Sequence, residues 1–269
     1  MSGRKVRHIL SLSGGKDSTA LAIYLRDCIP NLEYVFCDTE EELPETYEYL
    51  ARLEAYLGQP IVRLKHDGRN FDHWLTVYGN YLPSARSRWC TKHLKIQPFE
   101  RYVGEDPVRN YIGIRADEER EGYISGKPNI TPVYPFKEAG IAKADVMRLL
   151  DSSGLGLPEY YRWRSRSGCY FCFFQQRIEW VGLLENHPEK FEEAKTYEKL
   201  AIDSGCRYTW TQRESLDELS RPERIAQIKT EHQRRVADQQ NKASGTSLLE
   251  IFDVLDGYAE ERACLICEL

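Results

Sequence analysis

The residues best equipped for chemistry come early, in Ser13-Gly14-Gly15-Lys16-Asp17-Ser18-Thr19, directly after the apolar run His8-Ile9-Leu10-Ser11-Leu12. Paired glycines let successive backbone N–H groups face one concavity, and a following helix adds the positive end of its dipole, so the turn suits anionic oxygens. Lys16 adds a full charge, and Ser13 and Ser18 add hydroxyl donors. The spacing is not that of a Walker A loop, which needs four residues between its first Gly and a terminal Gly-Lys-Ser/Thr.

A second group is built on sulfur. The chain has eight cysteines, and Cys169-Tyr170-Phe171-Cys172, preceded by Gly168, has the spacing that lets two thiolates converge on one metal or cluster. Tyr170, Phe171, Phe173 and Phe174 would shield such a centre, and they would equally suit a dry core with two inert thiols; iron–sulfur, zinc and inert packing all remain open. Cys28 and Cys37 read as small buried hydrophobes, while Cys264 and Cys267 lie close to the last residue. Met1–Arg7 shows no apolar export stretch and no later run is long enough to span a bilayer. The expectation is a cytoplasmic protein with reduced thiols and no membrane partner.

Charge adds a third group. The 37 Lys+Arg against 42 Asp+Glu give a formal charge of −5, so any polyanion site must be local. Two stretches contain no acid: 73–99, with Arg86, Arg88, Lys92 and Lys95, and 160–178, with Arg162, Arg164, Arg166 and Arg177. Arginine forks interleaved with Trp89, Tyr161 and Trp163 suit phosphate clamping and base stacking. Arg86, Arg88, Arg162, Arg164 and Arg166 are therefore candidate nucleic-acid contacts, with a small-molecule triphosphate or a partner protein as the alternative.

The elements that must position these groups alternate in type. Strand patterns at 8–12, 34–37, 61–64 and 110–114 are separated by helix patterns at 17–26 and from Pro44 to Gly58, the latter with Tyr47, Leu50, Leu53 and Leu57 at helical spacing. This predicts an α/β fold with a parallel sheet flanked by helices, and ligands at the carboxyl ends of its strands. Beyond about residue 150 the pattern is helical: one helix from Ile178, one from Pro188 to Gly205 and charged helical spacing over 214–240. A linker over 241–247, an amphipathic helix and a tail follow. The expected division is a nucleotide-binding domain over 1–150 and a cysteine-containing, helical region over 151–269.

The Ser-Gly-Gly-Lys-Asp-Ser run resembles the signature of the PP-loop ATP pyrophosphatases. Phe36-Cys37-Asp38-Thr39 with Leu43-Pro44-Glu45-Thr46-Tyr47, Arg88-Trp89-Cys90-Thr91-Lys92-His93, and Gly113-Ile114-Arg115-Ala116-Asp117-Glu118-Glu119-Arg120 look like the PAPS reductase branch of that family. The resemblance implies an adenine nucleotide alpha-hydrolase (HUP-like) sheet with a helical C-terminal region. It implies that Ser13, Gly14, Gly15, Lys16, Asp17 and Ser18 grip the pyrophosphate of ATP, with Mg²⁺ placed by Asp17 and with Ser11 and Gly113 at the same site. Asp38 and Thr39 would lie by the nucleoside, and Arg115 and Arg120 over the phosphates. Attack on the α-phosphate would then give an adenylated intermediate and pyrophosphate.

Two departures from the reductases sharpen this. The loop keeps the full ATP-type sequence, and the Glu-Cys-Gly-Leu-His tail of the reductases is missing. Both point to the ATP pyrophosphatases of DNA phosphorothioate modification, the Dnd and Ssp type systems. These act on DNA with a cysteine desulfurase as sulfur donor and with other phosphorothioation subunits. A sulfonucleotide (PAPS or APS) reductase and a tRNA thiolase are the enzymatic alternatives, and a non-catalytic nucleotide-binding subunit is the alternative of another class. The spacing from Cys90 to Cys169 is similar to that of cluster-bearing assimilatory reductases, although Trp89 replaces the first cysteine of their Cys-Cys pair. This implies a [4Fe–4S] cluster, or zinc, on Cys90, Cys169, Cys172 and, as fourth ligand, Cys206.

Overall fold

The computed structural model describes residues 5–119, 126–203, 209–211 and 214–242. The described parts of 5–70 and 89–159 form one compact unit, and those of 71–88 and 160–242 form another.

The first unit is built on five parallel strands: β1 (Arg7–Leu12), β2 (Leu32–Cys37), β3 (Ile61–Leu64), β4 (Val108–Tyr111) and β5 (Ile130–Val133). Their order is β3-β2-β1-β4-β5. Residues of opposite parity on one strand enter opposite layers, because side chains alternate across a sheet. Leu10, Leu12, Tyr34, Phe36 and Ile61 join one core, and Ile9, Val35, Cys37, Val108 and Ile130 join the other. Burial on both faces is why these strands read as continuous apolar runs. The first three match the sequence expectation, and β4 overlaps the expected 110–114 only at its end, residues 112–114 lying in the loop that follows. The fifth escaped it because it is short and contains Pro132, which the outermost position tolerates.

Helix α1 (Lys16–Leu25) follows β1, and α2 (Pro44–Leu57) follows β2. In α2, Pro44 stands in the first turn and Gly58, at φ 66°, closes the end by donating its N–H to the Glu54 carbonyl. Helix α3 (Phe71–Val77) belongs to the second unit. Returning to the first unit, α4 (Trp89–Thr91), a π-helical stretch Lys92–Ile96 and α5 (Gln97–Val103) follow one another without a break. Phe99 and Val103 of α5 cover the second sheet face. Helix α6 (Pro135–Ala139) leads to α7 (Lys143–Ser153), which packs on α1.

The second unit adds α8 (Arg177–Asn186), α9 (Pro188–Asp203), α10 (Leu216–Leu219) and α11 (Pro222–Lys242) to α3. Its core is aromatic: Phe171 lies 4.3 Å from Phe71 and stacks on Trp210 at 5.1 Å, while Trp180 meets Phe191 and Trp210. Buried Glu198 organises one side by accepting the Trp210 and Leu216 backbone N–H groups at 3.0 and 2.6 Å. Among the described residues, no helix is long and apolar enough to cross a membrane.

Candidate functional site

Strand β1 has β2 on one side and β4 on the other, so the connections leave in opposite directions and open a crevice at the carboxyl ends of β1 and β4. The Ser13–Gly15 turn stands there. Gly14 is at φ 72°, and a Cβ at this position would come within 2.7 Å of Thr46 Cγ2. Only glycine meets both conditions. The turn is tied across itself: the Ser13 N–H donates to Ser18 Oγ at 3.1 Å, the two serine oxygens are 3.0 Å apart, and Ser18 Oγ donates to the Gly15 carbonyl. These bonds fix the backbone N–H groups at the start of α1, where the helix dipole is positive.

Asp17 is the electrostatic centre. Its Oδ2 lies 3.2 Å from Lys16 Nζ and its Oδ1 3.0 Å from an Arg115 guanidinium nitrogen. Burial alone would raise this carboxyl, but Lys16 and Arg115 outweigh burial and hold it below the usual carboxylate range. Arg115, 1% exposed, also pairs with Glu118 at 2.8 Å and with Asp117 at 3.0 Å. Three carboxylates thus surround the guanidinium expected to lie over phosphates, which makes Arg115 a brace between the β4 loop and α1. Gly113 has a similar part. A Cβ there would sit 3.0 Å from the Asp17 carbonyl, so the glycine permits the close crossing of the two segments.

Mg²⁺, expected beside Asp17, would share that carboxylate with Lys16 and Arg115, since each Asp17 oxygen faces a protein cation. With no group of three His, Cys, Asp or Glu among the described residues that could hold a metal ion, its remaining ligands would be phosphate oxygens and water.

Asp38, at the end of β2, is buried. Its Oδ1 accepts from the Glu40 N–H at 2.9 Å and from Tyr47 Oη at 2.8 Å. Thr39 donates its hydroxyl to Glu42 at 3.0 Å. Glu40 takes a left-handed φ of 64° and lies against Lys65 and His66 of the segment after β3, at 2.6 and 3.0 Å. Ser11 points elsewhere: it is 1% exposed and donates to Asn110 Oδ1 at 2.9 Å, tying β1 to β4. Sequence reasoning missed Lys65 and the bond from Tyr47 to Asp38. An ion pair of Arg115 with Asp117 or Glu118 was its alternative to a phosphate contact, and the structure shows both pairs with the guanidinium buried rather than at the surface.

In the second unit, the Cys169–Cys172 segment is a turn closed by the Cys172 N–H donating to the Cys169 carbonyl at 3.0 Å. Gly168 enters it at φ 131°. Arg164, expected on nucleic acid, is instead 2% exposed and donates to the Gly168 and Cys169 carbonyls at 2.9 and 2.7 Å. Buried Glu179 fixes the approach by accepting from Ser165 N–H and Oγ, and Gln175 donates to the Tyr170 carbonyl. Tyr170 and Phe171 are core residues, but both thiols are half-buried. Cys90 lies in the first unit, half-buried beside Thr91. Cys206, Cys264, Cys267 and Arg120 fall outside the described residues. Among the described residues, no group of three His, Cys, Asp or Glu side chains could hold a metal ion.

Among the other expected contacts, Arg86 and Arg162 are exposed, and Arg88 and Arg166 are half-buried. Trp89, expected to stack on bases, is 3% exposed. Cys37 is buried as expected, its thiol pushed up to about 12 chiefly by burial. Cys28 corrects its expectation: it is exposed on the outer side of the turn after α1, where its thiol donates to the Tyr24 carbonyl.

Residues 7–125 match the family model of the phosphoadenosine phosphosulfate reductase domain. Two uncharacterized proteins of Methanocaldococcus jannaschii are each 27% identical to the chain, over 68% and 69% of it and over 45% and 40% of themselves. The chain thus spans less than half the length of these curated relatives. Among solved structures, the phosphoadenylyl-sulfate (PAPS) reductase from Candida auris in a phosphate complex superposes with a TM-score of 0.50 at 15% identity. The match covers 61% of this chain and 82% of that one, and it shows a shared fold.

Proposed function

We propose that this protein is an ATP pyrophosphatase that adenylates an oxygen of an acceptor before sulfur replaces that oxygen, the acceptor being a backbone phosphate of DNA. The observation that carries the reading is the Ser13–Ser18 turn, locked by its own serines at the switch point of the sheet, with Lys16 and the α1 N-terminus at one mouth. Its backbone donors and Lys16 would take the β- and γ-phosphates. Asp38 and Thr39, at the adjacent end of β2, would face the nucleoside. An acceptor oxygen then attacks the α-phosphorus: a new P–O bond forms, the bridging bond to the β-phosphate breaks, and pyrophosphate leaves with both electrons of that bond. Most of the assistance is positioning and charge stabilisation of the leaving group. The protein partner that fits is a cysteine desulfurase, whose terminal persulfide sulfur would displace AMP from the acceptor, a second thiol then cleaving the remaining S–S bond by two-electron reduction, working with the other phosphorothioation subunits.

The reductase-domain match supports a second reading, a sulfonucleotide reductase, which would bind an already adenylated sulfate. Pyrophosphate release from ATP, measured with DNA, tRNA or sulfate as acceptor, separates the two. DNA-dependent release supports the proposal. Release with tRNA alone reassigns the acceptor, and ATP left intact while a sulfonucleotide is reduced overturns the proposal.

A further inference from the structure

The acid-free stretches 73–99 and 160–178 are remote in sequence, yet the fold sets one arginine from each on a single ring. The Arg88 guanidinium carbon lies 5.3 Å from the centroid of Phe174, and that of Arg166 lies 5.1 Å from it. Phe173 packs beside that ring at 4.4 Å, and all four side chains are half-buried. The negative face of the ring attracts each guanidinium group, and planar guanidinium groups match phosphate geometry. The rings directly follow the Cys169–Cys172 turn, which Arg164 and Gln175 tie down through the Gly168, Cys169 and Tyr170 carbonyls. The support for the pair is therefore fixed before any ligand arrives. Half-exposed aromatic rings beside paired cations are the arrangement that binds unstacked bases and their phosphates.

We propose that Arg88 and Arg166, gathered on Phe174, clamp a phosphodiester of a single nucleic-acid strand, with Phe173 offering a face to the neighbouring base. This rests on the proposed function only in taking a nucleic acid as acceptor. It assigns the strand contact to the second unit, separately from the nucleotide turn.

The test uses the full chain without ATP and a fluorescein-labelled single strand of about 20 nucleotides, read by anisotropy from about 50 to about 200 mM KCl. The Arg88→Gln/Arg166→Gln double variant should bind at least about tenfold more weakly, with a log–log salt slope shallower by about 0.7, the share of one neutralised phosphate on a single strand. Phe174→Leu keeps both charges and should still lose affinity severalfold, whereas Phe174→Tyr should retain it. Circular dichroism checks that each variant folds; should Phe174→Leu fail there, the arginine pair and Phe174→Tyr decide. Unchanged affinity and slope in the double variant overturn the proposal, as does tighter binding to the matching duplex. Displacement by polyglutamate as effective as that by unlabelled strand also overturns it, in favour of an acidic protein partner. Strand binding that needs both arginines, in a protein releasing no pyrophosphate, would leave this clamp standing while the adenylation reading falls. Pyrophosphate release with no strand binding would do the reverse.

Discussion

Asp17 is ionised in a buried place only because two cations hold it there, and that makes it sensitive to the smallest change. Asp17→Asn keeps the shape but leaves Lys16 and Arg115 each short of a carboxylate. Removing one partner of a buried ion pair costs about 3–5 kcal/mol, so the urea midpoint should fall by a corresponding amount, measured by fluorescence. Thiol chemistry gives an independent check on burial. With its thiol pushed up to about 12, Cys37 carries only about 10⁻⁴ thiolate at pH 8, while Cys28 is exposed. Brief iodoacetamide treatment at that pH, read by peptide mass spectrometry, should label Cys28 and spare Cys37. At this scale the sequence shows residue type and misses direction. Arg164 and Arg166 look alike in the sequence, yet one side chain is locked on backbone carbonyls and the other lies on Phe174. Which way each turns is set by the Gly168 φ and by residues distant in the chain.

The nucleotide turn shows how one element disciplines another. Thr46 on α2 fills the space beside Gly14, so the turn depends on a helix about thirty residues further on. Gly14→Ala should cost about 1–2 kcal/mol for the left-handed backbone, and a further steric share from the Thr46 methyl. Adding Thr46→Ser removes that methyl. The double variant should recover the steric share alone, as judged from thermal melts of the three proteins. The strand–turn–helix itself was plain in the sequence because period, glycines and the position of Pro44 agreed. Strand β5 was hidden by Pro132, and the run from Trp89 to Val103 was hidden because basic, aromatic and β-branched residues mask helical spacing there.

Across the whole molecule, carboxylates held by cations set the response to acid. Asp17, Glu33 and Glu214 are lowered in the fold, Glu33 and Glu214 chiefly by hydrogen bonds from Arg7 and Arg224. A lowered folded value means that the stabilisation is present above the ordinary values, 3.8 for Asp17 and 4.5 for the two glutamates, and is lost as pH falls through the folded ones. Glu198, raised by burial, works in the opposite sense. Because the lowered groups outnumber it, urea resistance should stay level from about pH 7 to about pH 5 and decline below about pH 4. The parallel strands could be foreseen, but not that residues 71–88 leave the sheet's unit for the other one. Nothing in the local pattern of Phe71 tells which distant aromatics it will meet.

That excursion governs the order in which the protein can be made and cut. Strand β1 pairs with β4, so His8 meets Arg109, and the sheet cannot close until the chain has already supplied a segment whose packing partners, Phe171, Tyr197 and Trp210, are still to be synthesised. A fragment ending at residue 159 would therefore bear an uncovered Phe71 and should be recovered mainly as aggregate, whereas the same fragment with 71–88 replaced by a short Gly-Ser linker should stay dispersed, as size-exclusion chromatography would report.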